Sequence, residues 1–160
     1  MFDKTLLCNR NEGRLQWSFK VSLLDKDLAF AIYVASRSLI RSYNHALAPF
    51  GLTHTQFLVM TVRWKEDLVP IKIIGSRLLL DSGTLSPLLK RLEKIGYLSR
   101  QRSRNDERTV IVCLTSMGKS LEDDVKRVVD QLTERTAPAS DQTLELKQAL
   151  EDINRQLRSS

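Results

Sequence analysis

Apolar residues recur at three- and four-residue steps along most of this chain, which is the spacing of one face of an α-helix. The first such stripe runs from Leu28 to Leu47 and predicts a helix of about six turns. Pro49 and Gly51 follow this stripe and are expected to end the helix. Residues 1–21 show no sustained period and are interpreted as an N-terminal extension.

Two shorter helices are predicted after this one, each with its own start signal. Thr53 and Gln56 have the spacing of a capping box and predict the start of the second helix. The residues expected on its inward face are Phe57, Met60, Thr61 and Trp64. Pro70 is expected to start the third helix. The inward-facing residues of this helix are Ile71, Ile74 and Leu78.

The fourth predicted helix is apolar on one face, and Gly96 ends it. Its apolar residues are Leu85, Leu88, Leu89, Leu92 and Ile95. The residues of the opposite face are Gly83, Pro87, Lys90 and Lys94. The pattern leaves the start of this helix open. If Ser82 caps it, Pro87 lies inside and removes a hydrogen bond, whereas a cap at Ser86 gives Pro87 the favoured first position.

A hairpin and two further helices complete the predicted elements. Residues 97–102 and 109–114 are interpreted as two strands, the second from its β-branched residues, and they enclose a polar turn at 103–108. Thr115 is expected to cap a single long helix that continues to a break at Pro138. A last helix is predicted beyond that break.

Three short helices followed by a two-stranded hairpin predict a winged helix-turn-helix, in a fold that is mostly α with a small β component (α+β). The long helices at both ends have apolar stripes that so small a unit cannot cover, so a homodimer is expected. The predicted organisation is an N-terminal extension at 1–21, a helical dimerisation region at 22–51 and 115–158, and a winged helix-turn-helix DNA-binding domain at 52–114.

Positive charge is concentrated in the middle of the chain. Of the net charge of +6, +5 lies between Ile71 and Arg108, where there are nine lysines and arginines and four acidic residues. One basic segment in an otherwise near-neutral chain is expected of a phosphate-binding surface, so double-stranded DNA is the expected partner. A basic solubilising patch is the alternative that composition leaves open.

Several classes of protein are disfavoured by the sequence. No apolar run reaches the roughly 18 residues of a membrane span, and segment 1–26 has no continuous apolar stretch of the secretory kind. Motifs of the HExxH, P-loop and GxSxG kinds are absent, so neither enzyme activity nor a cofactor is expected. Cys8 and Cys113 cannot build a disulfide scaffold, and His45 and His54 lack a metal-binding partner nearby in sequence. We therefore expect a cytoplasmic protein without a metal site.

Four blocks of the sequence carry a family resemblance. They are Leu80–Glu93 (LDSGTLSPLLKRLE), Gly96-Tyr97-Leu98, Asp106-Glu107-Arg108, and Leu114-Thr115 with Gly118. In these blocks the chain resembles the MarR family of bacterial transcription regulators and, within it, the organic-hydroperoxide sensors of the OhrR type. The resemblance covers residues 24–157.

The resemblance implies a dimeric, sequence-specific DNA-binding transcription regulator, taken as a repressor, with a pseudo-palindromic operator. It places the start of the recognition helix at Asp81–Ser82 and accepts Pro87 within it. The implied DNA-binding residues are Ser82, Thr84, Ser86, Lys90, Arg91, Arg104 and Arg108. The short hydroxyls among them can donate or accept hydrogen bonds and so suit several bases. Arg108 is the implied minor-groove arginine of the wing, and Asp106 is the implied residue that steadies it.

The sequence departs from the peroxide sensors at their reactive position. Leu28-Ala29-Phe30 stands where those sensors have leucine-cysteine-phenylalanine, and alanine cannot form a sulfenic acid or a disulfide. A natural divergence and an engineered replacement are both compatible with the sequence. The implied ligand pocket, suited to a small-molecule inducer, consists of Ala29, Tyr33, Tyr43 and His54. The candidate redox residues elsewhere are Cys8 and Cys113.

Two further functions stay open at this point. One is a ligand-responsive MarR-type regulator unrelated to redox chemistry, and the other is a winged-helix module that assembles proteins without contacting DNA. The basic recognition face and wing favour DNA binding over such a module. Because Ala29 has no thiol, we expect operator binding to persist at hydroperoxide levels that release the cysteine-containing relatives.

Overall fold

The structure is a computed structural model that describes residues 27–66, 68–103, 109–136 and 141–159. Its helices and strands follow in the order α1 (Leu28–Leu47), a 3-10 turn (Ala48–Phe50), α2 (His54–Lys65), β1 (Val69–Pro70), α3 (Ile71–Leu78), α4 (Ser82–Ile95), β2 (Leu98–Arg102), β3 (Val110–Leu114), α5 (Ser116–Ser120), α6 (Glu122–Thr136) and α7 (Asp141–Ser159). The predicted mostly helical α+β fold is confirmed.

The chain divides into two compact units, Met1–Ala35 and Ser36–Ser160. The described part of the first unit, residues 27–35, contains the beginning of α1, where Leu28 and Tyr33 are exposed. The second unit contains the rest of α1 and all later elements. None of the described helices is both long enough and apolar enough to cross a bilayer.

The capping box predicted for α2 is present, but the inward face of this helix differs from the prediction. The backbone N–H of Gln56 donates to Thr53 Oγ1 at 3.4 Å, and the backbone N–H of Thr53 donates to Gln56 Oε1 at 2.9 Å. The buried residues are Gln56, Val59, Met60 and Arg63. Of the four residues expected inside, Phe57, Thr61 and Trp64 are only half-buried. The polar members of the buried face are tolerated because Gln56 completes the cap and the Arg63 guanidinium donates to the Glu66 carbonyl.

The sheet has three strands rather than the two that were predicted. Val69 lies opposite Val112 and Pro70 opposite Ile111, so β1 extends the β2–β3 hairpin in the order β1-β3-β2, with antiparallel neighbours. A strand of two residues is too short to produce an alternating pattern, which explains why the sequence did not reveal it. Pro70 is compatible with this position because β1 is an edge strand.

Helix α4 begins where the resemblance placed it and runs through Pro87. Its cap is Asp81, whose carboxylate accepts the backbone N–H of Thr84, so neither Ser82 nor Ser86 is the capping residue. Gly96, with a left-handed φ of 92°, ends the helix as predicted. The fully buried residues of its apolar face are Leu85, Leu89 and Leu92.

The single long helix predicted after Thr115 is two helices, α5 and α6, separated at Leu121. Thr115 does cap the first of them, because its Oγ1 accepts the backbone N–H of Gly118 at 3.0 Å. The interruption has a tertiary cause. The carbonyl of Gly118 accepts the indole N–H of Trp64 at 2.8 Å, whereas in a continuous helix it would accept the N–H of Glu122.

The hydrophobic core of the second unit lies within the winged helix-turn-helix and reaches Leu47 and Val125 on the long helices. Its fully buried side chains include Leu47, Val59, Met60, Ile74, Leu85, Leu89, Leu92, Val112 and Val125. In contrast, α7 has no buried residue. The core therefore fixes α4 and the hairpin against one another, and the last helix keeps its apolar side chains accessible.

Candidate nucleic-acid interface

The solvent-facing side of α4 is polar and basic. Five of the side chains expected to contact DNA are exposed there: Ser82, Thr84, Ser86, Lys90 and Arg91. Lys94, which the sequence analysis placed on this face but not among the site residues, is exposed as well. Lys90, Arg91 and Lys94 form no ion pair with any described residue. Their charges are therefore available to an external anion.

The amino end of α4 is organised by Asp81 and Thr84. Asp81 Oδ1 accepts the backbone N–H of Thr84 at 2.8 Å, and Asp81 Oδ2 lies 2.8 Å from Thr84 Oγ1. These bonds lower the pKa of the Asp81 carboxyl, the backbone bond having the larger effect. The hydroxyls of Ser82 and Ser86 have no hydrogen-bond partner among the described residues. An aspartate three residues before Thr84 is a capping signal that would have identified Asp81 from the sequence.

The hairpin formed by β2 and β3 is attached to α4 by an ion pair that the sequence analysis did not identify. Arg100 Nε and Nη2 donate to Glu93 Oε2 at 3.0 and 2.6 Å, and the backbone N–H of Arg100 donates to Glu93 Oε1 at 3.2 Å. The side-chain hydrogen bonds from Arg100 are the main cause that lowers the pKa of Glu93. The wing and the recognition helix are thus tied together by a partly exposed, multiply bonded pair.

The tip of the wing lies outside the described residues, and with it three of the predicted site residues. These are Arg104, Asp106 and Arg108. The backbone on either side of the tip is paired, since the N–H of Ser103 donates to the carbonyl of Thr109 at 2.8 Å. The described strands therefore form the base of the wing.

A cluster of hydrogen bonds joins α2, the end of α4 and the start of α5. Thr115 Oγ1 donates to the Gly96 carbonyl at 2.6 Å, and the Thr115 N–H donates to the Tyr97 carbonyl at 3.1 Å. The Trp64 indole bond to Gly118 belongs to the same cluster. These bonds connect the recognition helix to the helices that follow the wing, although the sequence analysis treated Trp64 only as a core residue.

The structure brings together two of the four residues of the predicted ligand pocket. The rings of Tyr43 and His54 lie 4.8 Å apart, edge to face. The backbone N–H of His54 donates to Asn44 Oδ1 at 2.7 Å, and burial lowers the pKa of the imidazole. Ala29 and Tyr33 belong to the first unit and are exposed in it.

A cleft of about 650 Å³ lies between α1 and α6, and neither Tyr43 nor His54 lines it. The residues that line it include Arg41, Ser42, His45, Val128, Leu132 and Arg135.

Of the two candidate redox residues, Cys113 is described and Cys8 lies outside the described residues. Cys113 is 8% exposed, and the side-chain amide of Gln101 donates to its sulfur at 2.6 Å. In the described part of the chain no group of three or more histidine, cysteine, aspartate or glutamate side chains could hold a metal ion.

Comparison with known proteins points to regulators of transcription. Residues 41–125 match the protein family described as transcriptional regulator SarA/Rot. The chain is 45% identical over 129 residues to the HTH-type transcriptional regulator TtmR of Methylorubrum extorquens, a match that covers 81% of this chain and 64% of TtmR. This chain thus spans less than two thirds of the length of that relative. It is 33% identical over 127 residues to the organic hydroperoxide resistance transcriptional regulator of Bacillus subtilis, covering 79% of this chain and 86% of the relative.

Solved structures show the same fold. One such structure is reduced AbfR bound to DNA, which is 32% identical to this chain, has a TM-score of 0.76 and is matched over 85% of this chain and 95% of its own. A crystal structure of AbfR of Staphylococcus epidermidis also matches. A MarR transcriptional regulator from Methanosarcina mazei is 27% identical with a TM-score of 0.70, over 82% of this chain and 97% of its own. The predicted winged helix-turn-helix fold is therefore confirmed.

Proposed function

Because the chain belongs to the SarA/Rot family of MarR-like winged-helix transcriptional regulators, we propose that it acts as a homodimeric repressor that binds a pseudo-palindromic DNA operator. The amino-terminal half of α4 enters the major groove, where Ser82, Thr84 and Ser86 meet base edges. Lys90 and Arg91 bind phosphates, and Arg108 enters the minor groove beside the wing, steadied by Asp106.

The observation that carries this proposal is the exposed positive charge on α4, which no described carboxylate neutralises. A lysine or arginine that is already paired with a carboxylate must give up that pair to bind phosphate, so its net contribution to DNA affinity is smaller. Among the described residues, Lys90, Arg91 and Lys94 have no carboxylate partner. The solved complex of reduced AbfR with DNA supports the same use of the fold. With a two-fold dimer, the centres of the half-sites lie roughly 10–10.5 base pairs apart.

The double variant Lys90→Ala/Arg91→Ala is expected to bind DNA from beside its own gene about tenfold more weakly or worse. Removing these two phosphate-binding side chains also reduces the slope of log K against log salt concentration by about 1.8, about 0.9 for each, because fewer counterions are released. Fluorescence anisotropy at four or more salt concentrations measures both quantities. A second variant, Arg108→Ala, is expected to weaken binding most on A·T-rich flanks.

The matched control for this experiment is Lys147→Ala, since Lys147 is exposed on α7 and pairs with Glu151 at 3.6 Å. It is expected to leave affinity and salt slope unchanged. Unaltered binding in the α4 and Arg108 variants would show that the recognition helix and wing are wrongly assigned. Absence of sequence-specific binding by the unmodified chain would favour the alternative, a winged-helix module that assembles proteins.

Regulation of this DNA binding is proposed to come from a small-molecule inducer at Tyr43 and His54 rather than from oxidation. Ala29 offers no sulfur, and Cys113 is buried in a strand. The unmodified chain is therefore expected to remain bound to its operator in the presence of hydroperoxide. The variant Ala29→Cys is expected to dissociate from the operator under the same conditions. Anisotropy with and without cumene hydroperoxide tests this. Release of the unmodified chain that Cys8→Ser or Cys113→Ser abolishes would contradict the proposal and identify the sensing thiol.

A further inference from the structure

The hydroxyl group of Thr84 differs from the other hydroxyls on the face of α4 because its hydrogen is already used. Asp81 Oδ2 lies 2.8 Å from Thr84 Oγ1, and the pKa of Asp81 is lowered. The carboxylate is therefore ionised at neutral pH and can only accept hydrogen bonds. It follows that Thr84 is the donor in this contact, and that only the lone pairs of its oxygen face outward.

Ser82 and Ser86 provide the contrast on the same helix. Neither hydroxyl has a hydrogen-bond partner among the described residues, so each can donate or accept as the opposing base requires. The second Thr84 contact, from its backbone N–H to Asp81 Oδ1 at 2.8 Å, holds the Asp81 carboxylate beside Thr84 at the cap. The side chains of Asp81 and Thr84 thus offer only hydrogen-bond acceptors on this exposed patch.

The four bases differ in the hydrogen-bond donors and acceptors that they present to such a patch in the major groove. Adenine presents its N6 amino group and cytosine its N4 amino group, whereas guanine presents O6 and N7 and thymine presents O4. An acceptor-only patch attracts the amino groups and repels the carbonyl oxygens. We infer that Thr84, with its hydroxyl hydrogen held by Asp81, selects adenine or cytosine over guanine or thymine at one position of each half-site. This inference rests on the proposed insertion of α4 into the major groove.

Selection of bound sequences from random double-stranded DNA tests the inference with the full chain and two variants of Thr84. Thr84→Ser retains the hydroxyl and its bond to Asp81, so it is expected to keep the preference for adenine or cytosine. Thr84→Val retains the shape but loses the acceptor, and the discrimination at that position is expected to fall by about fivefold. A preference for thymine that persists in Thr84→Val would show that methyl contact is what reads the base, and would overturn the inference.

Asp81→Asn supplies a test in the opposite direction. Asparagine caps helices about as well as aspartate, and its amide can donate to Thr84 Oγ1. The threonine hydroxyl hydrogen then becomes available to the base, so guanine and thymine are expected to become acceptable at the same position. An unchanged preference in this variant would contradict the inference. Thermal melting of each variant, followed by circular dichroism, verifies that the fold is retained.

A direct measurement uses the selected operator with one amino group removed. The selected adenine is replaced by purine, or the selected cytosine by 2-pyrimidinone. This replacement is expected to lower the affinity of the unmodified chain for the operator about fivefold and to leave the affinity of Thr84→Val unchanged. Equal losses in both proteins would exclude a contact between Thr84 and the amino group. Failure of the unmodified chain to enrich any motif would instead refute the proposed function, so the two failures are distinguishable.

Discussion

The variant Leu146→Glu is expected to be a monomer that binds operator DNA at least about 100-fold more weakly than the unmodified chain, because linked binding to two half-sites is abolished. Leu146 and Leu157, which helical spacing places on one face of α7, are 61% and 73% exposed, and this helix buries none of its residues. Large apolar side chains left exposed along one face of a helix indicate a surface that a second copy covers.

Sedimentation equilibrium gives the mass of each protein, which is expected to be twice 18.3 kDa for the unmodified chain and 18.3 kDa for Leu146→Glu. Gln148→Glu is the matched control, since it adds the same charge to an exposed position on a different face of α7. It is expected to remain dimeric and to retain its affinity. A dimeric Leu146→Glu protein with unchanged affinity would place the dimer interface elsewhere.

The variant Gly118→Ala is expected to lower the free energy of unfolding by about 3 kcal/mol, the upper range for overpacking a tight contact. A Cβ at this position would lie far inside the van der Waals distance of the Tyr97 carbonyl oxygen and 3.0 Å from its carbonyl carbon. Both obstacles are backbone atoms of Tyr97, whose carbonyl accepts hydrogen bonds from Thr115, and the Gly118 backbone is itself held by the indole N–H of Trp64. Neither side of the contact can therefore move without breaking hydrogen bonds.

Urea denaturation at a fixed protein concentration measures this decrease, because the stability of the proposed dimer depends on protein concentration. The control is Gly51→Ala. Gly51 has a φ of +66° with nothing within 4 Å of a Cβ, so alanine there meets backbone strain of about 1 kcal/mol and no collision. Equal decreases in the two variants would show that the Tyr97 backbone imposes no steric demand on Gly118.

Local signals in the sequence predicted the features that depend on neighbouring residues. The capping box at Thr53, the cap at Thr115 and the helix end at Gly96 all form as expected, because each needs only groups within a few residues of chain. The family resemblance, which rested on continuous blocks such as Leu80–Glu93, was confirmed by the match to the SarA/Rot family.

Features that depend on distant parts of the chain were missed or predicted wrongly. The strand β1 exists because Val69 pairs with Val112, and the break between α5 and α6 accompanies the bond from Trp64 to Gly118. The predicted inward face of α2 was wrong for a different reason: the carbonyl that accepts from Arg63 belongs to Glu66, only three residues further along, but a hydrophobic pattern assigns a charged residue such as arginine to the solvent side of a helix. Periodicity contains no information about such partners.

The candidate site also combines features that the local sequence determines with features that depend on distant residues. The sequence by itself determined that α4 is amphipathic, that its outer face is basic and that hydroxyls lie near its amino end, because these follow from helical spacing. Only the tertiary structure showed that Lys90 and Arg91 lack carboxylate partners among the described residues, and that Glu93 is engaged by Arg100 from the next strand. The bond that commits the hydroxyl hydrogen of Thr84 to Asp81 is local, since the two residues are three positions apart at the helix cap. Residue types and their spacing define which groups a surface can offer, whereas the positions of their partners in three dimensions decide which of those groups remain free to bind.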